Sequence, residues 1–155
     1  MTNTNKPKIC ITTIEFPPDV GGVGESVHRI AKMLTGRGYE VHVAVFRSSQ
    51  RSVPDDTFRR AGYKTTVQDN IYVHRIKSSI RSEITELSGY LSDIYFQLKL
   101  LHQKFKFNLF HAFFLIETGY VTTLLAKEND VPVINSVLGS DLLKHIFSPK
   151  IHGPV

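Results

Sequence analysis

Short apolar runs alternate along this chain with longer amphipathic stretches, and that alternation predicts the architecture. Lys8 to Ile14 is an almost unbroken apolar run, the pattern of a buried strand. Val27, Ile30, Ala31 and Leu34 then recur at helical spacing, which predicts a helix from about Gly24 to Gly36, with Gly36 and Gly38 as its stops. Glu40 to Phe46 is rich in β-branched residues and reads as a second strand. Arg47 to Thr57 is polar, contains Pro54 and reads as a loop. Tyr63 to Val67 and Ile71 to Ile76 read as two short strands about a turn at Gln68-Asp69-Asn70. From Glu83 to Lys106, the apolar positions Ile84, Leu87, Leu91, Ile94, Leu98, Leu101 and Phe105 step by three and four, which predicts an amphipathic helix. An apolar strand from Phe107 to Phe114 holds His111. A helix from about Glu117 to Asn129, a strand from Pro132 to Val137 and a helix start at Leu142 to Phe147 complete the pattern.

Strands that alternate with helices in this way predict an α/β fold: a doubly wound, Rossmann-like, mostly parallel sheet with helices on both faces. The first two strands and those holding His111 and Val133 should all be parallel. Ligands in such sheets bind beyond the carboxyl ends of the strands. The loop after the first strand, His111 and the segment Leu138–Asp141 are therefore expected to converge on one edge. The 155 residues suit a single domain with a real core.

Composition narrows the partners. The formal net charge is +5 and the isoelectric point about 9.4. The cations are scattered, Arg75 among them, and read as a solvated basic surface or as a face toward phosphorylated ligands or an anionic membrane. Lys99, Lys104 and Lys106 end the long helix. A peripheral membrane contact accounts for them, and so does the helix macrodipole. No nucleic-acid motif is present. Cys10 is the single cysteine and sits inside the first strand, where it reads as a small buried hydrophobe in a reducing, cytoplasmic setting. No apolar leader opens the chain, and no run of 18 apolar residues occurs. The seven histidines show no metal-ligand spacing, so neither a metal nor a resident cofactor is expected.

The most informative stretch is Glu15 to Ser26, EFPPDVGGVGES. Pro17 and Pro18 fix φ and remove two backbone donors. Gly21, Gly22 and Gly24 lack a Cβ, so backbone N–H groups can approach a ligand, and the following helix turns its positive end to the same place. That arrangement suits a phosphate or diphosphate. The same glycines also serve as a plain strand-to-helix turn. A P-loop would need a Lys after Gly24, where this chain has Glu25. The dinucleotide fingerprint would need Gly or Ala at Val27 and an acid after the second strand. Arg47 stands there instead, which leaves an NADP-dependent oxidoreductase as a weaker alternative.

Taken in order, the glycine loop, Arg37-Gly38-Tyr39-Glu40-Val41-His42-Val43, Asn108-Leu109-Phe110-His111-Ala112-Phe113 and Asn135-Ser136-Val137-Leu138-Gly139-Ser140-Asp141-Leu142 resemble the N-terminal domain of retaining GT-B glycosyltransferases of the group 1, subfamily 4-like kind. The second block is similar to that family's Asp-Val-Val-His-Ala-His strand, the last to its Thr-Val-His-Gly-Ser-Asp-Leu run. The resemblance implies one half of a two-domain enzyme that moves a sugar from a nucleotide-sugar donor to a glycan or glycolipid acceptor. This half would serve the acceptor side. The donor-binding half, with its Glu-x7-Glu motif, would come in cis or as a separate chain, because residues 1–155 read as the N-terminal domain only and alone should be inactive.

By the resemblance, Gly21, Gly22 and Gly24 approach substrate or phosphate, together with Ser140 and Asp141. Asp141 also reads as an N-cap for the helix after it. Two family histidines are Phe113 and Leu138 here, which removes two groups able to donate hydrogen bonds and switch protonation. His111 remains as the catalytic candidate, and reads equally as a satisfied strand histidine. The departures keep a second function in view, a non-catalytic sugar- or nucleotide-binding module.

Overall fold

A computed structural model describes residues 6–46, 62–77, 87–139 and 141. Its elements follow the order β1 (Lys8–Thr13), α1 (Gly22–Gly36), β2 (Glu40–Val45), β3 (Gly62–Gln68), β4 (Ile71–Lys77), α2 (Leu87–Phe105), β5 (Leu109–Phe113), α3 (Tyr120–Glu128) and β6 (Val133–Ser136). The strands form one sheet in the order β3-β4-β2-β1-β5-β6. The neighbours β4, β2, β1, β5 and β6 are parallel, and β3 pairs antiparallel with β4. This is the predicted doubly wound α/β sheet.

Strand alternation assigns the two faces. Ile9, Ile11, Val41, Val43, Val45 and Val73 pack with Val27 and Ala31 of α1 on one side. Cys10, Ala44 and Phe110 pack with Tyr90, Ile94, Leu98 and Leu101 of α2 and Val121 and Leu125 of α3 on the other. The apolar stripe of the long helix is thus spent on the core. Cys10 is fully buried, and burial pushes its thiol far up from its ordinary pKa.

Local chemistry explains the boundaries. α1 closes with a Schellman motif: Gly38, at φ +92, donates to the Thr35 carbonyl, and Tyr39 donates to that of Leu34. The β3–β4 turn is made by Asp69 and Asn70, both at positive φ, the requirement of a two-residue hairpin loop. The helix expected from Glu117 begins differently. Leu115–Gly119 forms a π-helical turn, and regular α-helix starts only at Tyr120. A Cβ on Gly119 would lie 2.7 Å from the Phe114 carbonyl oxygen, so only glycine lets this turn fold back on the end of β5. The helix start expected at Leu142 lies outside the described residues.

Candidate functional site

The chain leaves β1 for α1 on one face, and leaves β5 for α3 on the other. The adjacent carboxyl ends of β1 and β5 are therefore the point where the winding reverses, where ligands of such sheets bind. Phe16 and Val23 of the glycine loop, Phe113 and Phe114 at the end of β5, and Leu138 after β6 all join one apolar cluster there. The predicted convergence of the two loops is observed. His111 does not join it at a strand end. It lies in mid-strand, paired with Ile11 and Ile134, because β5 starts at Leu109 and ends at Phe113.

The glycine loop forms an open hollow of about 380 Å³ lined by Pro17, Asp19, Val20, Gly21, Gly22 and Glu25. Its glycines do different work. A Cβ on Gly22 would meet nothing within 4 Å. Gly21 is extended, at φ −177, and the Glu15 carboxylate lies over it where a side chain would project. A Cβ on Gly24 would lie 3.3 Å from the backbone of Glu15 and Phe16, so glycine lets α1 pack on the exit of β1.

Carboxylates dominate this hollow. Glu25 pairs with Arg29 at 3.0 Å and favours the positive end of α1. Asp19 pairs with Arg75 at 3.1 Å. Glu15 has no hydrogen-bond or ion-pair partner for its carboxylate among the described residues. Burial, and then the charge of Asp19, raise its pKa.

Arg75 is the residue that sequence reasoning missed. It is not a surface cation: it is 5% exposed, at the end of β4, and its guanidinium also donates to the carbonyls of Phe16 at 3.3 Å and Pro17 at 2.6 Å. Phe114 was missed as well. It holds φ +77 and ψ 144, a costly backbone for a non-glycine residue, at the end of β5.

The remaining sequence-predicted positions are occupied as follows. His111 Nε2 shares a 2.8 Å hydrogen bond with Ser136 Oγ, and burial lowers its pKa, which keeps the ring neutral near pH 7. Phe113 is buried in the core, and Leu138 packs on the same cluster. Asp141 is 3% exposed, and its carboxylate accepts the Leu138 N–H at 3.0 Å, while its own N–H donates to the Leu138 carbonyl. That reciprocal pair is the backward-reaching half of a capping box. Ser140 and Arg47 lie outside the described residues. Among the described residues no group of three metal-ligating side chains occurs, and no helix is long and apolar enough to cross a membrane.

Residues 24–154 match the glycosyl transferase 4-like family. The chain belongs to that family. No curated protein matches it significantly. Among solved structures it resembles sucrose-phosphate synthase from Thermosynechococcus elongatus, at 16% identity and a TM-score of 0.68, over 92% of this chain and 36% of the synthase. A second chain of the same synthase matches at 15% identity and a TM-score of 0.60, over 86% of this chain and 65% of that one. At such identity the likeness concerns the fold. The chain spans about a third of the synthase chain that it matches over 92% of its own length.

Proposed function

We propose that this glycosyl transferase 4-like domain is the acceptor-side half of a sugar transferase. A nucleotide-sugar serves as donor and a hydroxyl-bearing glycan or glycolipid as acceptor. A donor-binding half, in cis or as a separate chain, faces the carboxyl edge of the sheet. The observation that carries this reading, beyond family membership, is the charge of the hollow beside Gly21 and Gly22. Asp19 and Glu25 line it, and the Glu15 carboxylate lies over Gly21 with no cation partner among the described residues. Carboxylates accept hydrogen bonds from sugar hydroxyls and repel phosphate. Cations able to hold a diphosphate then come from the donor half, and the glycine loop holds the acceptor beside it. Asp141 fixes the turn after β6 at the same edge.

Amide NMR of the 155-residue chain tests the hollow. Glucose is expected to shift the Gly21, Gly22 and Glu25 signals, while UDP and NADP bind with dissociation constants in the millimolar range, about −4 kcal/mol. Tight NADP binding that is lost in Arg47→Ala would replace this reading with the oxidoreductase. The non-catalytic sugar-binding module keeps one specific support: the apolar Phe113 and Leu138 stand where the family resemblance places histidines, Phe113 buried in the core and Leu138 half-buried against it.

A further inference from the structure

We infer that Arg75 is a positioning residue that holds the glycine loop in its ligand-accepting shape. The inference rests on the acceptor-side reading of that loop. Arg75 lies opposite Val45 of β2, and β2 in turn separates β4 from β1. Two strand spacings come to roughly 9–10 Å. The side chain crosses that distance past the end of β2 to reach a loop whose residues lie 56 to 59 positions earlier in the chain.

Three acceptors meet one guanidinium there: the Phe16 carbonyl, the Pro17 carbonyl and Asp19 Oδ2. They flank the cis Pro17–Pro18 bond, where two prolines in succession leave no backbone N–H to tie the loop to itself. The only internal backbone bond in this stretch runs from the Asp19 N–H to the Phe16 carbonyl at 3.1 Å, and that carbonyl is one Arg75 also binds. The loop then enters α1 directly through Gly21 and Gly22. Its course over the hollow is therefore set from outside, by β4. The side chains of the ion pair are 6% and 9% exposed, so solvent screens the contact little. Only a planar, five-donor head serves three acceptors in these directions, and lysine does not replace it.

The latch also places Glu15. Its carboxylate lies over Gly21, on the same short segment that Arg75 fixes from residue 16 onward. Release of the latch lets this carboxylate and the first helix N–H groups drift relative to one another, which costs ligand binding without touching the sheet.

The test uses the whole 155-residue chain with Arg75→Met/Asp19→Asn, which removes both charges of the pair together, beside Arg75→Lys. Amide hydrogen exchange is read at Asp19, whose N–H is bonded to the Phe16 carbonyl, and in β1, β2 and β4, and glucose-induced shifts are read at Gly22. In the double variant, loop exchange should rise tenfold or more while strand protection is unchanged, and the glucose shifts should vanish. Arg75→Lys should fall between it and wild type. Loop exchange equal to wild type in the double variant overturns the inference. So does a uniform rise across strands and loop, which marks Arg75 as a general stabiliser. If wild-type chain shows no glucose shift, the acceptor-side reading of the hollow fails, while the exchange measurement still judges the latch.

Discussion

At the residue scale, glycines with similar sequence contexts have opposite meanings. Gly22 has open space around it and no positive φ, so Gly22→Val should change stability by no more than about 0.5 kcal/mol. The same substitution should abolish glucose binding, because the added side chain stands in the hollow. Gly119→Ala should do the reverse. Its methyl group would sit 2.7 Å from the Phe114 carbonyl oxygen and 3.2 Å from Asn135 Oδ1, and the backbone must shift at a cost of about 1–3 kcal/mol. Melting curves and glucose titrations of the two variants check the contrast. The cluster Gly21-Gly22-Gly24 was legible as the passage from β1 into α1, since glycine spacing after an apolar run is a local signal. Arg75 was not legible. In sequence it is one cation among many, and its burial depends on a loop more than fifty residues away. His111 was located correctly in its strand but not along it, because strand ends depend on the neighbours that pair with them.

At the scale of elements, the β3–β4 hairpin is joined to the sheet by a buried polar chain. His42 Nδ1 and His74 Nε2 share a 2.9 Å hydrogen bond, His42 Nε2 donates to Glu40 at 2.9 Å, and Thr65 Oγ1 lies 2.8 Å from His74 Nδ1. Glu40 in turn lies 3.6 Å from Lys8 Nζ. Donor counting fixes the neutral arrangement: if His42 gives its proton to Glu40, His74 must donate to His42 and Thr65 to His74. Tyr72, Phe105 and Phe107 close around the rings, and Lys104 adds a repelling charge. Burial is the main cause lowering both histidines, His74 to about 3. In the unfolded chain both titrate near 6.5. Below that pH the unfolded state binds more protons, so stability falls as pH drops below about 6.5; His74 contributes up to about 1.4 kcal/mol per pH unit down to about pH 3, and His42 acts in the same direction. Urea titrations from pH 7 to pH 4 should show this slope. His74→Gln should be less stable at pH 7 and show a shallower slope. Two strands and a turn were legible here from β-branched runs about Asp69-Asn70. The histidine pair was not, because it joins strands whose register sequence alone does not set.

For the whole molecule, the alternation of apolar runs was enough to predict a doubly wound sheet, since each period matches one element and connections between parallel strands need a helix. The order of the strands, and hence the position of the winding reversal between β1 and β5, came only with the structure. The acceptor-side reading makes a prediction at this scale. The 155-residue chain alone should release no sugar from any nucleotide-sugar, and mixing or fusing it with a donor-binding half should restore transfer. A chromatographic assay for the transferred sugar decides it, and turnover by the purified chain alone would refute the division of labour.

The central place of β1 has a consequence for how the molecule is made. Ile9 pairs with Val41 on one side and with Leu109 on the other. Lys8 makes two hydrogen bonds with Asn108, its N–H donating to Asn108 Oδ1 and its carbonyl accepting the Asn108 N–H. During synthesis at ~5–20 residues per second, about 5–20 s separate the emergence of β1 from that of its second neighbour. Through that interval β1 and β2 can pair while the far edge of β1, destined for the middle of the sheet, stays open as a sticky edge. A nascent chain stalled before residue 109 therefore carries the future switch point exposed, and is the form most in need of a chaperone.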